Sequence, residues 1–296
     1  MVDRRLQLRV GLPYLPHDAG HPFLCTVREL GSPCLISVGS LYRPATGWRR
    51  LSPEAWRLDV ALDSAGFVAT ARFGGYRWSI AEYVAQVATN FACGDAVLAD
   101  RPHPWAWWSQ MDLCCEPEIA HDRAEVQRRV VGTVSNLIQT LDEVERWCAR
   151  GAPVPRPLPV LQGREPEDYV RSAELLQREV GPLPELVGVG SVCRRPLGGR
   201  DGLLRVVAAL DEALPPHVRL HLFGVKGGGP QALGALARRV ASVDSSAWDE
   251  AARRDAQKMR RGGASYSCTL DHRTSRLRAW VEAHRARADL LTWSPR

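Results

Sequence analysis

The sequence lacks the features that mark several classes of protein. It contains no apolar run near the roughly 18 residues that a membrane-spanning helix needs. Its first residues, MVDRRLQLRVGLP, contain no apolar segment typical of a secretory signal. Its eight cysteines are not regularly spaced, which argues against a disulfide framework. These absences predict a globular protein of the cytoplasm that has no membrane partner.

Lysine is nearly absent, so the positive charge of this chain is carried by arginine. Only Lys226 and Lys258 are lysines among the 39 basic residues, and the 33 acidic residues leave a net charge of +6. A GC-rich genome would explain the excess of arginine over lysine, but not the sign of the net charge. Residues 253–287 alone contain ten basic and three acidic side chains. Such a face is typical of proteins that bind a polyanion, although a merely solvated surface is an equal alternative.

Apolar runs that end at a turn residue alternate with amphipathic helical patterns along the chain. The alternation predicts seven strands with helices between them, and the glycine fingerprint of dinucleotide-binding folds is missing. Over 296 residues this favours an α/β fold, a single-domain (β/α)8 barrel of the TIM type, with its core at about 33–255 and a basic C-terminal helical segment at about 256–296. The predicted strands lie at 33–41, 57–62, 105–111, 157–161, 186–189, 218–223 and 240–243. The clearest predicted helices lie at 122–148, 167–180, 201–214 and 231–240.

Polar residues directly follow several of the predicted strands. A single aspartate at such a place is most often a turn residue or a helix N-cap. In a barrel, however, the carboxyl ends of all strands meet at one mouth, and carboxylates gathered there repel each other unless a substrate or a proton uses them. The sequence therefore predicts a site at the mouth. Its members are Asp63, Asp112, Gln162, Gly190, Ser191 and Asp244.

Several carboxylates with one amide narrow the chemistry of this site. A metal site would use carboxylates but usually also histidine, and we expect the only strand-borne histidine, His221, to face away from the mouth. Glycosyl transfer uses two carboxylates, one as nucleophile and one as acid and base. The remaining carboxylate and amide could then bind the edge of a nucleobase, because together they offer both acceptors and donors.

Six motifs occur in an order and at spacings that resemble the tRNA-guanine transglycosylase superfamily. They are LDSAGF at 62–67, QMDLCCEPE at 110–118, VLQG at 160–163, VGVGSV at 187–192, LHLFGVK at 220–226 and SVDSSAW at 242–248. One such motif alone is weak, but six in order across most of the chain are specific. The SVDSSAW motif and the short length are most similar to the branch that inserts 7-deazaguanine bases into DNA.

The resemblance implies a role for each matching residue. Asp244 matches the nucleophile that attacks C1′ of a guanine nucleotide, and Asp63 matches the general acid and base. Two displacements at one carbon retain the configuration of the sugar, so the base is exchanged without cutting the DNA chain. The residues matched to base binding are Asp112, Gln162, Gly190, Ser191, Phe67 and Phe223, with Cys114 placed near the base but given no chemical role.

Phe67, Phe223 and Glu116 each have a structural alternative to a role in the site. An extruded base needs other faces to replace its stacking neighbours, which is the role implied for Phe67 and Phe223; burial in the core is the alternative for both. Glu116 is either a second acid or an N-cap, and we favour the structural role. The basic C-terminal face would hold the nucleic-acid backbone, through Arg253, Arg254, Lys258, Arg260 and Arg261.

The sequence departs from the superfamily pattern at two places. Transfer-RNA enzymes of the superfamily carry zinc on clustered cysteines and a later histidine, whereas the C-terminal region here offers Cys268, His272 and His284 without a CxC or CxxC pair. We therefore predict no structural zinc and no other cofactor. Ala65 stands where many relatives have glycine, and its methyl group could narrow the pocket.

The resulting hypothesis is a pentosyltransferase that replaces guanine in DNA with a 7-deazaguanine, with the 7-cyano form as the favoured base. Its partners would be DNA, the 7-deazaguanine base and accessory proteins of a DNA-modification system. Two alternatives remain open. One is the same exchange, or hydrolysis of the N-glycosidic bond, on tRNA or on a free nucleoside or nucleotide. The other is a non-catalytic, nucleic-acid-binding barrel subunit.

Overall fold

The fold is built around one parallel sheet. A computed structural model describes residues 6–12, 21–51, 55, 57–97, 105–152, 154–193, 195–225, 238–263 and 268–289. Within this part of the chain eight strands form the sheet, and a short antiparallel hairpin of β3 and β4 lies beside it. The strands are β1 Gln7–Leu12, β2 Cys34–Ser37, β3 Tyr42–Arg43, β4 Gly47–Trp48, β5 Val60–Asp63, β6 Trp105–Trp108, β7 Val160–Leu161, β8 Leu186–Val189, β9 Arg219–Leu222 and β10 Val240–Ser245.

Apart from the hairpin, each strand of the sheet pairs with the next along the chain except β6 and β7, which form the two edges, and the last strand returns to the first. The order is β6-β5-β2-β1-β10-β9-β8-β7, and every pairing is parallel. This confirms the α/β prediction and gives a curled half-barrel that is compatible with a TIM-like fold. The carboxyl ends of all eight strands consequently lie at the same edge of the curved sheet.

The continuous barrel that we predicted is interrupted between β6 and β7. These two edges meet at a single isolated bridge between Ser109 and Leu158, where the N–H of Leu158 donates to the carbonyl of Trp108 at 2.7 Å. Leu158 lies between Pro157 and Pro159. Because proline has no N–H, the residues on both sides of Leu158 cannot extend the ladder.

Helices follow most strands and cover the outside of the sheet. Those predicted at 122–148, 167–180 and 201–214 are confirmed, with ends within two residues of the prediction. The helix predicted at 231–240 lies mostly outside the described residues, and its end is wrong because Val240 begins β10. The helices are α1 Pro22–Glu29, α2 Gly66–Phe73, α3 Ile80–Val97, α4 Arg123–Ala149, α5 Pro166–Val180, α6 Leu203–Ala213, α7 Ala247–Arg261 and α8 Leu270–Asp289, with a short 3-10 turn at Val38–Ser40.

The C-terminal helices pack on the body of the fold through an apolar face. Leu277 and Val281 of α8 are buried in the same cluster as Phe23 of α1 and Trp248 of α7. The indole N–H of Trp248 donates to the carbonyl of Gly11 at 3.1 Å, which ties α7 to β1. Most charged side chains of α7 and α8 are left at the surface, whereas Asp249 is buried and pairs with Arg273. None of the described helices is both long and apolar enough to cross a bilayer.

Candidate active site

The sheet brings the predicted site residues to one edge. Asp63 is the last residue of β5, and Asp244 lies near the end of β10. The segments that follow β6, β7 and β8 supply the others, which are Asp112, Gln162, Gly190 and Ser191. Parallel pairing alone places all of them at the carboxyl ends of strands. Their side chains then form a connected set of contacts.

Asp63 titrates near neutral pH in this setting. Burial, together with repulsion from the charges of Asp112 and Asp244, raises the pKa of its carboxyl from 3.8 to about 7. The backbone N–H of Ala65 donates to Oδ2 at 3.0 Å, and the Ser37 hydroxyl also bonds the carboxyl, which opposes the shift only in part. The three acidic side chains therefore act on each other, as the predicted convergence requires.

Asp112 is held by donors from three directions. The hydroxyl of Ser64 donates to Oδ1 at 2.8 Å and that of Tyr76 lies 3.4 Å from the same oxygen. The side-chain N–H of Gln162 donates to Oδ2. Burial raises the pKa of the Asp112 carboxyl, while these hydrogen bonds favour its charged form. The carboxyl is thus fixed in orientation and retains few free acceptor positions.

Gln162 links Asp112 to a second buried acid. Its side chain is fully buried, and its Oε1 lies 2.6 Å from Oγ of Ser191. That Oγ also lies 2.7 Å from Oε2 of Glu116 and accepts the N–H of Cys115 at 2.7 Å. Ser191 has φ 53°, in the left-handed region that most residues other than glycine avoid. The backbone strain is tolerated where the hydroxyl makes three contacts.

Gly190 is a glycine because the amide of Gln162 occupies the space of a side chain. A Cβ at residue 190 would lie 2.1 Å from Nε2 of Gln162 and 3.2 Å from Oδ2 of Asp112. We expect Gly190→Ala to push the amide aside and to lower the free energy of unfolding by about 1–3 kcal/mol, as overpacked buried sites do. Urea unfolding measures this difference.

The matched control for that prediction is Gly198→Ala. A Cβ at residue 198 would meet no atom within 4 Å, and the backbone there does not need a positive φ. We expect a change of no more than about 0.5 kcal/mol for this variant. Equal destabilisation by both variants would mean that the close approach to Gln162 does not matter.

Asp244 is oriented by groups on β9 and in the turn that follows it. The backbone N–H of Gly224 donates to Oδ1 at 2.8 Å, and Nε2 of His221 lies 3.3 Å from the same oxygen. The other ring nitrogen of His221 lies 2.8 Å from Oγ of Ser242. Burial lowers the pKa of His221, so the ring is neutral. Within the described residues Oδ2 makes no hydrogen bond or ion pair, which leaves it available for attack.

Our expectation that His221 faces away from the mouth is wrong. His221 pairs in register with Ser242 on β10, and residues two apart on a strand share a face. Ser242 and Asp244 therefore point to one side of the sheet, and His221 points to that side with them. The error lies in which alternate residues of β9 face the site. A strand of only four residues gives too short a pattern to decide this.

The two phenylalanines matched to base stacking are both partly exposed. Phe67 lies in the first turn of α2. Phe223 directly follows β9, and its ring meets that of His221 at 4.7 Å and that of Trp107 at 5.9 Å, both edge to face. Neither ring belongs to the buried apolar clusters of the described residues. Burial in the core is therefore the weaker reading for both.

Cys114 and the C-terminal metal candidates show no sign of reactive chemistry. Burial raises the pKa of the Cys114 thiol well above its usual range, which keeps it protonated and unreactive. In the described ranges no three histidine, cysteine, aspartate or glutamate side chains gather as metal ligands. The absence of zinc stays a prediction.

The basic face of α7 contains two kinds of arginine. Arg253 is paired with Asp249 at 2.8 Å, a carboxylate that it shares with Arg273, so its guanidinium is already engaged in an ion pair. Arg254, Lys258 and Arg261 are exposed and make no ion pair with described residues. Their spacing of four and three places these three on one helix face. Arg260, also predicted to bind the backbone, is exposed but lies off that face.

Distance along the helix separates these residues further. At 1.5 Å per residue, Arg254 lies about 10 Å from the start of α7 and Arg261 about 20 Å from it. The start of α7 directly follows the strand that carries Asp244. Among the three residues that make no ion pair, Arg254 thus lies nearest to the site along the helix.

Three side chains of the site were missed or undervalued at the level of sequence. Tyr76 belongs to no motif, yet its hydroxyl contacts the side chain, the N–H and the carbonyl of Asp112. Glu116 was given a structural role and His221 was placed on the wrong side. Glu116 and His221 had a usable signal, because they lie within the QMDLCCEPE and LHLFGVK motifs.

The chain was compared with known proteins. No curated protein matches it. Residues 19–294 match the family described as DpdA, DeoxyPurine in DNA protein A. This match covers nearly the whole length and includes every residue of the site. The chain therefore belongs to the DpdA family, the DNA-guanine transglycosylase branch of the tRNA-guanine transglycosylase superfamily, whose members act in 7-deazaguanine modification of DNA.

Proposed function

We propose that this protein replaces guanine in DNA with 7-cyano-7-deazaguanine through a covalent intermediate on Asp244. The observation that carries the proposal is the gathering of three carboxyls, Asp63, Asp112 and Asp244, at one edge of the sheet. Burial and the charges of the other two raise the pKa of Asp63 to about 7. A carboxyl that titrates near neutral pH can both give and take a proton under the same conditions. An exchange reaction needs one group that does both.

The first half of the reaction expels guanine. The free Oδ2 of Asp244 attacks C1′ of the extruded nucleotide, while the bond from C1′ to N9 of guanine breaks. Protonated Asp63 gives its proton to the leaving base, so guanine departs neutral. The Gly224 N–H donates to Oδ1 and Nε2 of His221 lies beside the same oxygen, which keeps Oδ2 turned to the sugar. The product is a sugar ester of Asp244.

The second half inserts the new base. Asp63, now ionised, takes the proton from N9–H of the incoming deazaguanine. N9 then attacks C1′ and the ester bond to Asp244 breaks, which returns both carboxyls to their starting states. The DNA chain is never cut, and the two displacements restore the configuration at C1′.

Recognition of the base falls to Asp112 and Gln162. The acceptor position left at Oδ2 of Asp112 can take a hydrogen from the N1–H or the 2-amino group that guanine and 7-deazaguanines share, and the second N–H of the Gln162 amide can donate to the 6-oxo group. A nitrile on carbon 7 lies outside this edge and does not disturb it. Phe67 and Phe223 would replace the stacking that the base loses when it leaves the helix.

The free basic face of α7 supports binding of the DNA backbone. We expect the triple substitution of Arg254, Lys258 and Arg261 by alanine to weaken DNA binding at every sequence. It should also reduce the slope of log K against log salt by about 2–3, because each lost phosphate contact removes about 0.9 from the slope. Fluorescence anisotropy with labelled duplex DNA at several salt concentrations measures this.

A charge-matched triple variant controls for the loss of net charge. Arginines that are equally exposed but already ion-paired occur on α4 and α5. We expect their removal to change the salt slope by less than about 1, so equal slopes for the two triple variants would contradict the assignment of the α7 face. These arginines are Arg128, Arg146 and Arg178.

Analysis of nucleosides tests the proposed function itself. The protein is expressed in a host supplied with 7-cyano-7-deazaguanine, with and without the accessory proteins of a DNA-modification system, and nucleosides from DNA and from tRNA are separated by mass. We expect the deazaguanine nucleoside in DNA only. Its appearance in tRNA, or in neither nucleic acid under any condition, would overturn the proposal.

A further inference from the structure

A buried chain of contacts joins the base-binding residues to a glutamate that the proposed exchange does not use. Glu116 is 6% exposed, and its Oε2 lies 2.7 Å from Oγ of Ser191. The same Oγ lies 2.6 Å from Oε1 of Gln162, whose Nε2 donates to Asp112. Two carboxyls, Glu116 and Asp112, are thus connected through one hydroxyl and one amide.

Counting hydrogens shows that this chain holds an extra proton. The Ser191 hydroxyl has one hydrogen but lies against two acceptor oxygens, and its own oxygen already accepts the N–H of Cys115. With Nε2 of Gln162 bonded to Asp112, the hydroxyl must donate to Oε1 of Gln162. The short contact with Glu116 is then a hydrogen bond only if Glu116 carries the hydrogen.

The alternative places the proton at the other end. An ionised Glu116 would take the hydroxyl hydrogen, the amide of Gln162 would turn, and its Oε1 would lie against Oδ2 of Asp112. Asp112 would then have to be protonated. The position of the proton and the orientation of the Gln162 amide therefore change together. Either Glu116 is protonated and the amide donates to Asp112, or Asp112 is protonated and the amide is turned.

The surroundings favour the proton on Glu116. Asp112 receives hydrogen bonds from Ser64, Tyr76 and Gln162, all of which stabilise its charged form. Among the described side chains, Glu116 has only the contact with Ser191. Burial raises the pKa of both carboxyls. Fewer side-chain hydrogen bonds oppose this rise at Glu116 than at Asp112.

We propose that Glu116 is a positioning residue that remains protonated and, through Ser191, holds the Gln162 amide in the orientation that selects 6-oxo-2-aminopurines. The proposal rests on the proposed function for the identity of the base. With Nε2 bonded to Asp112, the amide keeps a second hydrogen to donate to a 6-oxo group. The turned amide would present an acceptor instead, which suits the 6-amino group of adenine.

Two substitutions of Glu116 separate positioning from acid catalysis. Glu116→Gln retains a group that donates to Ser191 but cannot ionise, whereas Glu116→Asp retains the acid but is one methylene too short to reach. In assays of labelled guanine entering DNA, we expect the glutamine variant to keep KM for guanine within about 3-fold. The aspartate variant should raise that KM about 5- to 30-fold with kcat nearly unchanged, the effect of a lost buried hydrogen bond. The reverse pattern, with kcat lost in the glutamine variant, would overturn the proposal.

The selectivity for guanine over adenine distinguishes positioning from a merely structural role, because a structural role would not change it. Calorimetry gives the ratio of the Kd values for free guanine and free adenine. We expect Glu116→Asp to narrow this ratio by about 10-fold and Glu116→Gln to leave it unchanged, because one interaction of this kind is worth about that factor. Equal weakening of both bases by Glu116→Asp would contradict the role in orientation.

The proton can also be observed directly. An infrared difference spectrum of wild type against Glu116→Gln, with ¹³C-labelled glutamate, should show the carbonyl band of a protonated carboxylic acid. Loss of carboxylate bands alone would overturn the proposal. Glu174→Gln, at an exposed position on α5, is the control and should leave both the band and KM unchanged. Neither the spectrum nor base binding needs turnover, so a wild type without exchange activity would defeat the proposed function and leave Glu116 still testable.

Discussion

Asp244→Asn is expected to abolish base exchange and the trapped covalent adduct while leaving DNA binding intact. Asparagine has the shape of aspartate and can still accept the Gly224 N–H through Oδ1, but its amide nitrogen is not a nucleophile. Loss of a covalent nucleophile typically costs about 10⁴-fold or more in kcat. Denaturing gels detect the adduct, and incorporation of labelled guanine measures the exchange.

The control for Asp244→Asn is Asp211→Asn. Asp211 is a partly buried carboxylate on α6 that pairs with Arg239 at 2.7 Å. Arg239 directly precedes β10, so this pair lies at the amino end of the strand, opposite the edge that carries the site. We expect the control to retain exchange and adduct formation even if it loses some stability. Exchange by Asp244→Asn within about 10-fold of wild type would remove Asp244 from the role of nucleophile.

Asp63→Asn is expected to reduce exchange strongly and to stabilise the fold at the same time. Asparagine can neither protonate the leaving guanine nor deprotonate the incoming base, and general acid–base catalysis is typically worth about 10²–10⁴-fold. The same substitution removes a carboxylate that burial and the charges of Asp112 and Asp244 disfavour. Activity and stability should therefore change in opposite directions.

The pH dependence of that stabilisation follows from the raised pKa of Asp63. The folded protein keeps the proton up to about pH 7, whereas the unfolded chain releases it near its ordinary value of 3.8. Between these values the folded state binds more protons, so wild-type stability falls as the pH rises from about 4 to about 7. The difference corresponds to at most about 4 kcal/mol, and solvent access to the partly exposed side chain reduces it to about 1–3 kcal/mol.

Urea unfolding of wild type and Asp63→Asn at pH 5 and pH 8 measures this effect. We expect the variant to be more stable than wild type by a clearly larger margin at pH 8 than at pH 5. A margin independent of pH would show that Asp63 is not held protonated by the fold. The pH profile of kcat offers a second check, since a limb near pH 7 should be present only in wild type.

Much of this arrangement follows from local sequence. The period of α4 predicts its bounds to within one residue, because one apolar stripe faces the sheet along its whole length. The site residues were placed at strand ends because each polar residue follows an apolar run, and parallel strands bring their ends together. Their contacts now support that placement, while their roles remain predictions.

Other features depend on contacts between distant segments. The side of the sheet that His221 faces is set by its register with Ser242, and a four-residue strand carries no reliable parity of its own. The gap between β6 and β7 arises because Leu158, which lies between two prolines, pairs with Ser109 about 50 residues earlier in the chain, and the prolines prevent further pairing. Neither relation can be read from one segment alone.

The sequence by itself determined the alternation of strands and helices, the excess of arginine and the set of acidic and amide residues at strand ends. Only the tertiary structure decided how these groups act on each other. Burial and repulsion raise the pKa of Asp63 to about 7, and one hydroxyl between Glu116 and Gln162 ties a proton to the orientation of an amide. The physical reason is that desolvation, charge repulsion and hydrogen-bond direction depend on distances across the fold, which spacing along the chain does not contain.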